Sequence, residues 1–320
     1  MIVDWPLELD LERTHEAAQR TRERIGRFVR YTPLLEHDGH PRRLLKLETL
    51  QHTGSFKIRG AAAAITAGPR PRQIVAASTG NHGLAVAAMA RSLQLPCRVF
   101  VPTGAAPAKL ARLLTSGVEL IECDGDPLHA ELAAREAAAQ TPGALLVAPY
   151  NDPQVILGQA TLGLELLDDL QAPPDTLFVA VGGGGLIGGI ALVVRERWRH
   201  ARIVGALPEA SPAMADAVRA GHVTSSPLAP TLADATAGNL EQGSITVAIA
   251  AALVDRFELI AEAEIAAAMR VALLEHHVAI EGAAALALAA SLRDRDDDGE
   301  RHLIVLGGGN VGAETLRTLL

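Results

Sequence analysis

Lysine is nearly missing from this chain. Of 29 lysines and arginines among 320 residues, only Lys46, Lys57 and Lys109 are lysine. Arginine cannot deprotonate to attack a carbonyl, so any amine chemistry is confined to these three positions. Basic runs are missing as well, and the net charge is −8. That argues against nucleic acid as a main partner, because nothing neutralises a row of phosphates. Two cysteines, Cys97 and Cys123, are too few for a disulfide framework or a four-ligand zinc site. They read as small buried residues of a reducing compartment. The N-terminal MIVDWPLELDLERTHE is acidic where a secretion leader is basic and then apolar, so a cytoplasmic protein is expected. The stretch 177–194, LFVAVGGGGLIGGIALVV, lacks charge and is just long enough to be screened as a membrane span. Its six glycines, four of them consecutive, would break a spanning helix. A strand, a glycine loop and an apolar helix are expected there instead, and no membrane association.

What is present describes a soluble α/β protein of two lobes, with 49% hydrophobic and 21% charged residues. Short β-branched runs alternate with helical periodicity from residue 72 onward. Strands are expected at IVAAS (74–78), CRVFV (97–101), VELIEC (118–123) and ALLVAP (144–149). Helices are expected over 83–95, over 106–117 and from Pro127, with Asp126 as the N-cap of the last. The pattern repeats with a helix from Asn151-Asp152-Pro153 to Leu170 and strands at TLFVAV (176–181) and RIVGAL (202–207). A helix capped by Ser211-Pro212 then runs to Gly221. After it, the irregular stretch 222–244 is expected to line a pocket. Two further helical blocks precede HLIVLGGGNVG (302–312). Strands joined by such helices pair in parallel through right-handed crossovers, which puts ligands at the strands' carboxyl ends.

Two loops suit anions. GGGGLIGG (182–189) follows a strand and opens a helix, so its backbone N–H groups can cradle a phosphate. Gly183, Gly185 and Gly188 also fit a dinucleotide fingerprint, with Glu209 at the distance of a ribose-binding acid. Gly307, Gly309 and Gly312 repeat the glycine spacing with too little chain after them for that role. STGNHG (78–83) lies at another strand-to-helix junction and offers hydroxyls, an amide, an imidazole and free N–H groups. It suits a carboxylate, or a cofactor hydroxyl through Asn81. Lys46, inside LLKLE, can point to solvent from a short strand, and Lys109 sits on an amphipathic helix. Lys57 differs, because it follows a Gly-Ser turn and Phe56 and opens a helix of small residues. An amine near a phosphate cradle and a carboxylate receptor suggests a Schiff base to a phosphorylated aldehyde, of which pyridoxal phosphate is the common one.

These residues carry a resemblance. In order along the chain stand YTPLL (31–35), GSFKIRGA (54–61), STGNHG (78–83), the 102–109 loop, LGQATLGLE (157–165), GGGGL (182–186), TLADATAG (231–238), EGAAALALAA (281–290) and GGGN (307–310). Together they resemble the pyridoxal-phosphate enzymes of the tryptophan-synthase-β fold type (fold type II). Within that type the chain is similar to the serine/threonine dehydratases, near threonine deaminase, serine racemase and hydroxyectoine-utilisation dehydratase. The resemblance implies a two-lobed α/β fold, each lobe a mostly parallel sheet flanked by helices. The large cofactor-binding domain would be residues 1–49 and 149–320, and the small mobile domain 50–148. It implies that Lys57 holds the pyridoxal 5'-phosphate aldehyde with Phe56 beside it. Asn81 would face the pyridine hydroxyl, and Gly182, Gly183, Gly184, Gly185 and Leu186 would hold the phosphate. Ser78, Thr79, Gly80, Asn81 and His82 would receive the substrate carboxylate. A homodimer is implied too.

The chain departs from the family pattern at several places. Gly307 stands where Ser or Thr usually adjoins the pyridine nitrogen, so a water or another residue must serve there. Leu207 stands where relatives often have a cation-binding Glu, so no metal site is expected. Thr79 replaces the serine that works on the opposite substrate face in racemases, and Ala160 replaces a glycine. The regulatory domain of biosynthetic threonine deaminases is expected to be lacking. The activity implied is conversion of a 3-hydroxy amino acid, such as L-threonine or L-serine, into a 2-oxo acid and ammonia, with Lys57 as the base. The alternatives are racemisation with Thr79 as second acid-base group, a dinucleotide-dependent oxidoreductase, and a non-catalytic ligand sensor.

Overall fold

The β-branched runs and the helical blocks assemble around two sheets. The computed structural model describes residues 10–37, 40–125, 127–293 and 299–320. The larger sheet is built from β1 (Leu34–His37), β2 (His40–Leu47), β7 (Thr176–Ala180), β8 (Arg202–Pro208), β9 (Arg256–Ile260) and β10 (His302–Leu306). Their order is β1-β2-β10-β7-β8-β9, with β1 antiparallel to β2 and every other pairing parallel. The smaller sheet holds β3 (Gln73–Ala77), β4 (Cys97–Pro102), β5 (Glu119–Cys123) and β6 (Ala144–Leu146), all parallel, in the order β5-β4-β3-β6.

Parallel strands are covered on both faces, which is why their residues read as nearly continuous apolar runs. Alternate residues sort between two packed layers. Leu177, Val179, Leu303 and Val305 face α6 (Pro153–Asp169), α7 (Gly185–Arg197), α8 (Ala213–Ala220) and α9 (Ile245–Leu253). Phe178, Ile304 and Leu306 face α10 (Glu262–Leu274), α11 (Gly282–Arg293) and α12 (Ala313–Leu319). In the small sheet Ile74, Ala76 and Val99 meet α2 (Lys57–Thr66) and α3 (Asn81–Ser92). Val75, Ala77 and Phe100 meet α5 (Pro127–Gln140). Helices α1 (Leu11–Ile25) and α4 (Pro107–Leu114) complete the layers. Each fully buried Leu, Ile or Phe contributes about 1.5–3 kcal/mol.

Stretch 177–194 is a strand, a glycine loop and a helix, and among the described residues no helix is long and apolar enough to cross a membrane. Asp152 caps α6 as its sequence signal predicts, its Oδ1 accepting from the N–H groups of Gln154 and Val155 at 2.7 and 3.1 Å. Asp126 lies outside the described residues. Three expectations are corrected. The region after residue 244 contains the edge strand β9, whose RFELI pattern is too polar to announce itself beside helical blocks. Ser211 does not cap α8: its Oγ accepts from the Gly238 N–H at 3.1 Å and so holds the 222–244 stretch down. Lys46 does not reach solvent, because β2 lies inside the sheet and α6 covers it. Its fully buried Nζ pairs with Glu165 at 3.0 Å and Asp169 at 2.8 Å, and donates to Thr32 O at 2.7 Å.

Candidate active site

Lys57 is the first residue of α2, and that helix is pressed against α6 through small residues. A Cβ on Gly158 would lie 2.6 Å from Gly60 Cα, and one on Gly60 would lie 2.8 Å from Val155 Cγ1. Arg59, two residues on, is fully buried between Glu48 (2.7 Å) and Glu165 (2.7 Å). Both contacts fix the start of α2, and with it the amine. Lys57 Nζ donates to Pro149 O at 2.8 Å and lies 5.3 Å from the centre of the Phe56 ring. Burial pushes its pKa down to about 8, against the opposing charges of Glu131 and Glu281. Neutral amine is therefore present near physiological pH, as a nucleophile or base requires.

The residue after Pro149 ties the amine to the glycine loop. Side chains at Gly183 would be driven into the Tyr150 ring, and a Cβ on Gly185 would sit 3.2 Å from Tyr150 Cβ. A Cβ on Gly182 would lie 2.9 Å from Thr236 Cα, and Gly184 has a φ of +80°. Only glycine fits this loop, and it leaves the first N–H groups of α7 free of side-chain cover and of helical partners. Leu186 is buried in the core, so only its backbone is available to a ligand. Gly188 and Gly189 serve packing: Cβ atoms there would meet Ile249 and the backbone of α6. Glu209 is exposed beyond β8.

Asn81 begins α3 and is buried. Its Nδ2 donates to Glu281 Oε1 at 2.6 Å, while its Oδ1 accepts from Asn310 Nδ2 at 2.7 Å. Asn310 also donates to Thr53 O at 2.9 Å and accepts from Arg112 Nη2 at 2.6 Å. Burial lifts the Glu281 pKa to about 7, and Asp234 adds to the rise; the bonds from Asn81 and the Asn310 backbone and the Arg112 charge oppose it. Gly307 directly follows β10; its carbonyl accepts from the Phe56 N–H at 3.0 Å and a Cβ would lie 3.3 Å from Phe56 Cδ1. A side chain on Gly308 would be driven into the Glu281 carboxylate.

The remaining expected residues lie on the turn before α3. Ser78 Oγ accepts from the Gly80 N–H at 3.1 Å, Thr79 and Gly80 are half-buried, and nothing lies within 4 Å of a Cβ built on Gly80. His82 is buried with Nε2 donating to Val147 O at 2.8 Å. Burial, helped by the Lys57 charge, pushes its pKa down to about 3. The ring is thus neutral, and its main-chain N–H is what it offers an anion. Glu281, Asn310, Tyr150, Thr236 and Glu241 also belong to the site, and sequence reasoning assigned none of them a role. Glu281 and Asn310 had a signal, each lying at the edge of a recognisable small-residue block. Leu207 is buried on β8, and among the described residues no three His, Cys, Asp or Glu side chains converge on a metal position.

An amine of lowered basicity, linked through Pro149 and Tyr150 to a side-chain-free anion cradle in a two-sheet α/β fold, suits an enzyme for a phosphorylated aldehyde cofactor. The cradle, the amine and the amide of Asn81 fit pyridoxal phosphate. The pyridoxal-phosphate-dependent enzyme family matches residues 25–308, and the chain belongs to it. An L-threonine ammonia-lyase of Geobacter sulfurreducens is 38% identical over 314 residues, covering 94% of this chain and 77% of that protein. The structure of maize serine racemase superposes with a TM-score of 0.87 at 30% identity, covering 95% of each chain. A threonine deaminase from T.th. gives 0.84 at 31%, covering 93% of this chain and 98% of that one. The fold is thus fold type II, and the cofactor is pyridoxal phosphate. Residues 183–188 lie inside the stretch that matches a pyridoxal-phosphate family, which disfavours the dinucleotide interpretation.

Proposed function

We propose that the chain is an ammonia-lyase that converts a 3-hydroxy amino acid, such as L-threonine or L-serine, into a 2-oxo acid and ammonia. The observation that carries this reading is the amine of Lys57, its pKa pushed down to about 8 beside the 182–185 cradle. The bound cofactor supplies an electron sink for the charge left when the substrate loses its α-proton. Gly182 to Leu186 would hold the phosphate through main-chain N–H groups at the start of α7. Lys57 would hold the cofactor through its amine and, once released, take the α-proton at Nζ. Asn81, oriented by Glu281 and Asn310, would bond the ring hydroxyl, with Phe56 beside the ring. Ser78, Thr79, Gly80, Asn81 and His82 would receive the substrate carboxylate, chiefly by N–H groups at the start of α3. Gly307 offers no hydroxyl to the ring nitrogen.

Residues 50–148 act as a small mobile domain on the large one (1–49 and 149–320). Three side-chain contacts from α4 and α5 reach across to the large lobe: Lys109 with Asp234 (2.5 Å), Arg112 with Asn310 (2.6 Å) and Arg135 with Glu241 (2.5 Å). The protein works as a cytoplasmic homodimer. Racemisation is a second reading, supported by the placement of Thr79 on the turn before Asn81 and by the likeness to a serine racemase.

Lys57→Ala should lower ammonia release from L-threonine and L-serine by at least about a thousandfold. Borohydride treatment of the loaded wild type should add mass to the peptide containing Lys57. Full activity in the variant would sink the proposal. In the same assays, chiral analysis of recovered L-serine separates the two readings, since Thr79→Ala should abolish racemisation only.

A further inference from the structure

The side chain of Asn81 ends in a primary amide, which can present either its carbonyl or its N–H edge to a ligand. Which edge it presents is decided by its neighbours. Asn81 Oδ1 accepts from Asn310 Nδ2 at 2.7 Å, and Asn81 Nδ2 donates to Glu281 Oε1 at 2.6 Å. Asn310 is in turn held at both ends. Its Oδ1 accepts from Arg112 Nη2 at 2.6 Å, and its Nδ2 also donates to Thr53 O at 2.9 Å. A Cβ on Gly54 would lie 2.6 Å from Asn310 Oδ1, so the turn that leads to Lys57 is built around this amide.

The two outer partners work in one direction only. A guanidinium donates and never accepts, and a main-chain carbonyl accepts and never donates. Arg112 and Thr53 O therefore fix which end of the Asn310 amide is which, and Asn310 passes that polarity on to Asn81. Glu281 does not supply it alone. Burial lifts its pKa to about 7, so near neutral pH its carboxyl alternates between an acceptor and a protonated form that can donate. With Oδ1 and one N–H of Asn81 engaged, the second N–H is what this side chain has left to offer a ligand.

We propose that Arg112 and Asn310 are positioning residues that turn the N–H edge of Asn81 toward the ring oxygen of the cofactor and favour that oxygen in its ionised form. The inference deepens the ammonia-lyase reading and rests on its placement of Asn81 at the ring hydroxyl. An N–H donor stabilises a phenolate oxygen, whereas a carbonyl in the same place would require that oxygen to keep its proton. Arg112 stands on α4 with its side chain exposed, and acts through Asn310.

The test reads the absorption spectrum of the cofactor-loaded protein without substrate, where an ionised ring oxygen strengthens the visible band and a protonated one the near-ultraviolet band. Asn310→Asp keeps the shape and can still accept from Arg112, but has no N–H for Asn81. It should lower the visible-to-near-ultraviolet ratio by at least about threefold. Arg112→Met, a change at an exposed position, should lower the ratio in the same direction by about twofold. A contact that served only to tie α4 down would be strengthened by Asn310→Asp, which sets a carboxylate opposite the guanidinium, and would leave the ratio alone. Asn81→Ala is the reference and should lower the ratio at least as far as Asn310→Asp. An unchanged ratio in Asn310→Asp or Arg112→Met would overturn the inference, and an unchanged ratio in Asn81→Ala would overturn the placement of Asn81 together with it. Protein that shows the expected ratios yet releases no ammonia from hydroxy amino acids would overturn the ammonia-lyase reading and leave this one standing.

Discussion

At the scale of single residues, Lys57 and Glu281 are paired consequences of burial. Desolvation lowers the amine and raises the carboxyl, each toward neutrality. Glu281 has an ordinary value of 4.5 and is lifted to about 7 in the folded chain. A raised folded value means that its contribution to stability is fully present below about pH 4.5 and is lost as pH rises through 7. In cofactor-free protein, Glu281→Gln should therefore gain stability relative to wild type between pH 5 and pH 8. The gain should be on the order of 2–3 kcal/mol in urea unfolding. An equal difference at the two pH values would show that Glu281 does not titrate in this range. Lys57 was legible beforehand because lysine is rare here and its neighbours are unusual. Glu281 was not, since 37 acidic residues compete for attention and a local stretch does not say which helix face meets a pocket.

At the scale of elements, the crossing of α2 on α6 governs where the amine sits. Its closeness depends on Gly60 and Gly158, and its polar edge is a buried network of Lys46, Glu48, Arg59, Glu165 and Asp169. A methyl group at position 158 would have to displace the backbone of α2 at Arg59 and Gly60. Gly158→Ala should cost about 1–3 kcal/mol in unfolding experiments and weaken cofactor binding at the same time, because Lys57 moves with its helix. Loss of stability with unchanged cofactor affinity would separate the crossing from the site. The strands and most helices were legible from period and caps. The buried state of Lys46 and the strand β9 were not, because a strand's environment is set by its neighbours in the sheet, and these come from distant parts of the chain.

At the scale of the whole molecule, the site lies where two sheets meet, and polar contacts from α4 and α5 bridge it. Lys109 and Asp234 are substantially exposed, so each such pair is worth only about 0–1 kcal/mol and weakens with salt. Weak contacts at α4 and α5 would let that part of the proposed small domain move without breaking the buried α2–α6 crossing. Small-angle scattering should show a smaller radius of gyration when cofactor and L-2-aminobutyrate are added together, and an unchanged radius would remove the mobile-lobe proposal. The sequence by itself determined most of the parallel strands, the two glycine-containing strand-to-helix turns and the rarity of lysine, because these depend on local backbone geometry and on which side chains are absent. Tertiary structure alone decided which charges stay free. Lys46 is buried, His82 is neutral, and Arg135 is paired with Glu241. Each of these depends on desolvation and on partners supplied from elsewhere in the chain.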